Sequence, residues 1–135
     1  MKMIKLQGVT KKYKTGVHAL NKMDLSIEPG EFVYIIGPTG AGKSTFIKLL
    51  YREEKATSGN VIVDGVDVSS IKNRHVPYFR RKIGVVFQNY RLLPRRTVFE
   101  NVAFALEVID TPKTQIRTRV KETLRLVGLE DKANA

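Results

Sequence analysis

The chain has 135 residues, 42% of them hydrophobic and 27% charged, an ordinary soluble composition long enough for one domain with a real core. It contains no cysteine, which excludes a disulfide scaffold, a thiol nucleophile and a cysteine-ligated metal, and no apolar run nears the about 18 residues of a membrane span. Lysine and arginine total 24 against 13 acidic residues, a formal net charge of +11, which leaves anionic partners open without naming one.

Met1-Lys2-Met3-Ile4-Lys5-Leu6-Gln7 alternates as a strand does and lacks the apolar stretch of a signal peptide, so the expected location is the cytoplasm. A first strand is predicted over Met3 to Val9, followed by the basic loop Thr10 to Gly16, which holds Tyr13. A second is predicted over Leu20 to Ile27. Glu28-Pro29-Gly30-Glu31 reads as a turn, and it feeds the apolar, β-rich run Glu31 to Ile36, expected to be a buried parallel strand.

Gly37-Pro38-Thr39-Gly40-Ala41-Gly42-Lys43-Ser44 then matches G-x-x-x-x-G-K-[ST], the phosphate-binding loop, with a helix predicted from Lys43 to Tyr51. A polyphosphate needs this chemistry. Gly37, Gly40 and Gly42 permit positive φ and close backbone approach, so that successive N–H groups can surround the β-phosphate. The helix start adds its dipole and its unpaired N–H groups, up to Thr45. Lys43 is expected at the β- and γ-phosphates and the Ser44 hydroxyl on Mg²⁺. These residues imply a nucleoside triphosphate site.

Gly59 to Val68 reads as a hairpin turning at Asp64-Gly65. The Asp64 that ends its apolar run imitates a metal-binding strand end, but the hairpin accounts for it. A short helix is predicted over Val76 to Lys82, and Ile83 to Phe87 reads as another buried strand ending at Gln88. Lys72 to Arg96 carries eight lysines and arginines and no acid. The plain reading is a solvated face; the sharper ones are an anionic membrane surface or nucleic acid, of which nucleic acid is the weaker because regularly interleaved aromatics are lacking.

Thr97-Val98-Phe99-Glu100 has the form of a capping box, opening a helix with Val98, Val102, Leu106 and Ile109 on its core face. A last helix starts at Pro112 and is expected to bury Ile116, Val120, Leu124 and Val127, with Gly128 as its C-cap. His18 and His75 read as loop or surface residues.

Taken together, Tyr13, the glycine loop and Gln88 resemble the ATP-binding-cassette (ABC) ATPases. The resemblance implies a P-loop α/β nucleotide-binding domain: an antiparallel β subdomain, part of a parallel core sheet, and helices. It also implies that Tyr13 stacks on adenine, that Gln88 contacts Mg²⁺ and the attacking water, and that the loop after Gln88 meets a membrane partner. Lys43 and Gln88 would be the catalytic residues, and Ser44 and Gln88 the metal contacts. The segments Gly30 to Pro38, Tyr51 to Glu54, Val86 to Pro94 and Thr97 to Ile109 look like the cell-division branch of that family, the FtsE type of Gram-positive bacteria. Over Met3 to Lys132 the likeness implies a cytoplasmic ATPase peripheral to the membrane at the division site. It would pair with the membrane protein FtsX, dimerise on binding ATP and act on peptidoglycan hydrolases.

The family pattern continues with a Leu-Ser-Gly-Gly-x signature, an apolar strand ending in Asp-Glu and a switch histidine, none of which occurs in this sequence. Residues 1–135 are therefore expected to be the N-terminal portion of the domain, binding ATP but hydrolysing it poorly, and the end at Ala135 resembles a cut. The other readings are an ATPase of lipoprotein or peptide export and, in a different class, a P-loop small-molecule kinase. The kinase reading explains neither Tyr13 nor Gln88.

Overall fold

The structure is a computed structural model that describes residues 3–135; Met1 and Lys2 of the N-terminal alternation lie outside the described residues. The chain divides into two units, one ending at Gly84 and the other Val85–Ala135.

In the first unit, β1 (Ile4–Lys12), β2 (His18–Ile27), β3 (Ser58–Val63) and β4 (Val66–Asp67) form one antiparallel sheet in the order β2-β1-β3-β4. β1 is central and pairs with both β2 and β3, in registers running from Ile4↔Ile27 and from Ile4↔Val63. Strict alternation would send Leu6 and Val9 to opposite faces, yet both are buried. The register shift between them reconciles the two: Gly8 takes φ 55, and its N–H donates to Asp24 Oδ1 at 2.7 Å. Helix α1 (Lys43–Leu50) packs Phe46 and Leu49, one turn apart, against Leu6, Val9, Val61 and Val63. Val68 and Phe79 complete this core, the latter from the short helix α2 (Val76–Arg80). The predicted turns hold: Glu31 N–H donates to Glu28 O, with Gly30 at φ 82, and Asp64-Gly65 both have positive φ, as a two-residue hairpin with right-handed twist requires.

The two stretches expected to be buried strands, the first of them parallel, are not strands. Residues 31–36 and 83–87 carry no ladder, and Phe32, Tyr34, Ile36 and Val86 are all at least 80% exposed. β composition supplies a preference, but a strand exists only through hydrogen bonds to a neighbour. A parallel neighbour comes from a segment distant in sequence, and none among the described residues lies alongside either stretch.

The second unit is a helix pair, α3 (Val98–Val108) and α4 (Lys113–Leu126). The Thr97 capping box forms in full: Glu100 N–H donates to Thr97 Oγ1 at 3.2 Å and Thr97 N–H to Glu100 Oε2 at 2.8 Å. The core is Ala103, Val120 and Leu124, with Val98, Phe99, Val102, Leu106 and Ile116 packed on it. Two expected core residues are exposed instead, Ile109 and Val127. Each is the C-cap of its helix, where the chain leaves helical geometry and the face it would continue has ended. Gly128 follows with φ 70, the left-handed exit expected of it.

Candidate functional site

The glycine loop opens directly onto α1, whose N-cap is Gly42 at φ 86. Gly40 has φ 83, so two of the three glycines occupy the region that side chains rarely enter. At Gly42 a second demand is added. A Cβ there would stand 2.2 Å from the Ala19 carbonyl oxygen of β2. Glycine is thus required by the sheet that backs the loop as well as by the turn itself.

The Lys43 ammonium donates to the carbonyls of Gly37 at 2.5 Å and Pro38 at 2.6 Å, which holds it over the mouth of the loop. The N–H groups of Lys43, Ser44 and Thr45 belong to the first turn of α1 and have no acceptor within the helix. Ser44 is exposed, and its hydroxyl has no hydrogen-bond partner among the described residues. Backbone donors, one ammonium and one free hydroxyl therefore cluster within eight residues, the set an oxyanion-rich ligand needs.

The turn between β1 and β2 brings Tyr13 to this place. Its N–H donates to Val17 O and its carbonyl accepts from Gly16 N–H, closing the turn. The phenol and the buried Thr45 hydroxyl share a hydrogen bond of 3.1 Å, so Tyr13 and the glycine loop, 24 or more positions apart in sequence, are adjacent in space. Lys11 was not among the expected site residues. Its Nζ lies 4.9 Å from the Tyr13 ring centre and is held by Glu54 Oε2 at 2.7 Å and Lys55 O at 2.9 Å. The two-residue spacing of Lys11 and Tyr13, which places alternate residues of an extended chain on one side, was the available signal. Gln88 belongs to the second unit, where it is exposed in a segment without regular structure.

No cluster of three or more histidines or acids occurs among the described residues, so no all-protein metal cage is on offer. Mg²⁺ is ordinarily held by one or two protein oxygens together with substrate phosphates, and the exposed Ser44 hydroxyl is an oxygen of the kind that would suit it. Among the described residues, no helix is long and apolar enough to cross a membrane.

A family model described as ABC transporter matches residues 20–135. The chain is 56% identical to the cell division ATP-binding protein FtsE of Bacillus subtilis (strain 168), over 97% of this chain and 58% of that protein. It is 45% identical to the methionine import ATP-binding protein MetN of Helicobacter acinonychis, over 96% of this chain and 40% of that one. A dimeric ATP-binding cassette in a post-hydrolysis state with ADP and Pi superposes with a TM-score of 0.86 at 38% identity, covering 98% of this chain and 60% of that chain. The chain thus spans about three fifths of the FtsE relative and of the solved cassette. With the phosphate-binding loop, the tyrosine turn and the antiparallel subdomain in place, the chain belongs to the ABC transporter family of ATP-binding proteins and is similar to its FtsE members.

Proposed function

We propose that this chain is the ATP-binding portion of an FtsE-type subunit. The observation that carries the reading is the Lys43 ammonium poised on the Gly37 and Pro38 carbonyls beside three open N–H groups, with Tyr13 anchored to Thr45. The amides of Gly40 to Thr45 bind the β-phosphate. Lys43 exchanges loop carbonyls for the β- and γ-oxygens, replacing dipole contacts with a full charge pair. The Tyr13 ring offers a π face to adenine. Ser44 would supply an oxygen to Mg²⁺, which when bound offsets charge on the β- and γ-oxygens. Gln88, a neutral amide that both donates and accepts, orients the attacking water.

In the whole protein, ATP binding would drive homodimerisation, and hydrolysis would be coupled to a membrane partner of the FtsX kind in cell division. The support is the 56% identity to FtsE and the dimeric cassette relative. Residues 1–135 would bind the nucleotide but turn it over weakly, because the Asp-Glu strand end that the family resemblance pairs with Gln88 does not occur in this sequence. The 45% identity to a methionine import ATP-binding protein favours a second reading, a solute-import subunit with the same nucleotide chemistry. Co-purification with an FtsX-type rather than an importer-type membrane protein separates the two.

Calorimetry tests the nucleotide reading. Lys43→Ala should weaken MgATP binding by at least about tenfold, since a hydrogen-bonded charge contributes roughly 1.5–3 kcal/mol. Unchanged affinity would refute it.

A further inference from the structure

Away from the phosphate-binding loop, the first unit carries an open cleft of 490 Å³ between the β3–β4 hairpin and α2. Its floor is apolar, with Ile71 and the buried Phe79, while Lys72, His75 and Lys82 stand around it with Tyr78. Lys72 precedes the turn that leads into α2 and Lys82 follows the helix, so residues ten positions apart are returned to one opening. No carboxylate pairs with either lysine or with His75 among the described residues. None is near in sequence either, because no Asp or Glu occurs between Asp67 and Glu100. Tyr78 is 62% exposed, with the Arg81 guanidinium 4.9 Å from its ring centre.

Ammonium groups left without acids repel one another, and an anion relieves that cost. An exposed tyrosine edged by basic residues over an apolar floor is the composition that suits a bilayer interface, where the ring sits at headgroup depth and the cations meet phosphate. A nucleic-acid surface instead needs successive aromatic platforms along a track, and this cleft has one ring. We propose that the cleft is a binding site for the phosphate headgroup of an anionic phospholipid, with Lys72, His75 and Lys82 as donors and Tyr78 at the interface. The proposal rests on the membrane-peripheral reading above and adds a discrete site to it.

The test is partition of the full chain onto phosphatidylcholine vesicles with and without about 30 mol% phosphatidylglycerol. Each basic residue at such a surface contributes about fivefold to binding, so Lys72→Gln with Lys82→Gln should reduce partition onto the anionic vesicles by about 30-fold. Lys113→Gln with Lys121→Gln, an equal change in net charge on α4, should change it less than about threefold. Both pairs are exposed, and melting followed by circular dichroism checks that each variant folds; Lys72→Arg with Lys82→Arg should restore partition.

Equal losses in the two neutralised pairs would overturn the site while leaving a diffuse membrane attraction. Failure of the unaltered chain to bind anionic vesicles would overturn both the site and the membrane reading. Glycerol 3-phosphate binding that depends on Lys72 and Lys82, without any effect of these residues on partition, would show a soluble phosphate site and overturn the lipid assignment. So would a loss confined to DNA binding.

Discussion

Gly42→Ala, compared with Gly40→Ala, isolates the contact between the phosphate-binding loop and the sheet behind it. Both glycines have nearly the same φ, 86 and 83, so an alanine at either bears a similar left-handed penalty of roughly 1–2 kcal/mol. Their surroundings differ. At Gly40 the added methyl meets nothing within 4 Å, whereas at Gly42 it would lie 2.2 Å from Ala19 O and 3.1 Å from Leu20 Cδ2. A carbon and an oxygen need roughly 3.3 Å, so β2 or the loop must move by about 1 Å. Such forced shifts in packed regions cost typically 1–3 kcal/mol more. In urea unfolding followed by circular dichroism, Gly40→Ala should therefore lose about 1–2 kcal/mol and Gly42→Ala about 2–5 kcal/mol. Because the displaced hairpin also carries Tyr13, Gly42→Ala should weaken MgATP binding more than Gly40→Ala does. Losses within about 0.5 kcal/mol of each other, the usual error of such comparisons, would mean that β2 does not approach the loop as described.

Other outcomes follow from the same geometry. Tyr13→Phe keeps the ring and removes only the 3.1 Å bond to Thr45, so calorimetry should show nucleotide affinity falling by less than about tenfold, against a larger fall for Tyr13→Ala. Arg80 donates from Nε to Tyr51 O and from a terminal nitrogen to Arg52 O, both at 2.9 Å. These bonds tie α2 to the end of α1, and Arg80→Met should cost about 2 kcal/mol in urea unfolding. Glu100 is held below the ordinary glutamate value of 4.5, chiefly by the backbone N–H of Thr97; desolvation opposes this, and the Thr97 hydroxyl and Arg96 add to the lowering. Its folded value lies below its unfolded one, so the stabilisation is present above about pH 4.5 and disappears as pH falls through the folded value. Thermal unfolding should accordingly show Glu100→Gln flattening this part of the acid limb; an unchanged limb would contradict the capping role.

Much of the local structure was legible because its causes are local. The positive φ at Gly40 and Gly42, the Asp64-Gly65 turn and the Thr97–Glu100 capping box each rest on a few adjacent residues and their own backbone donors. The donor groups of the glycine loop were readable for the same reason: amides, ammonium and hydroxyl lie within one stretch, Gly37 to Thr45. Helix faces were read correctly through their middles and lost at Ile109 and Val127, where periodicity continues in sequence after the helix has stopped.

Tertiary structure decided what depends on partners far along the chain. Apolar β composition could not make strands of residues 31–36 or 83–87, because ladder bonds need a neighbour that composition does not specify. Nor could sequence place Tyr13 beside Thr45, the Ala19 carbonyl against Gly42, or Lys72 and Lys82 around one cleft. Conformational preference belongs to a residue and its immediate neighbours, whereas a site is a set of distances, and those exist only once distant segments have packed.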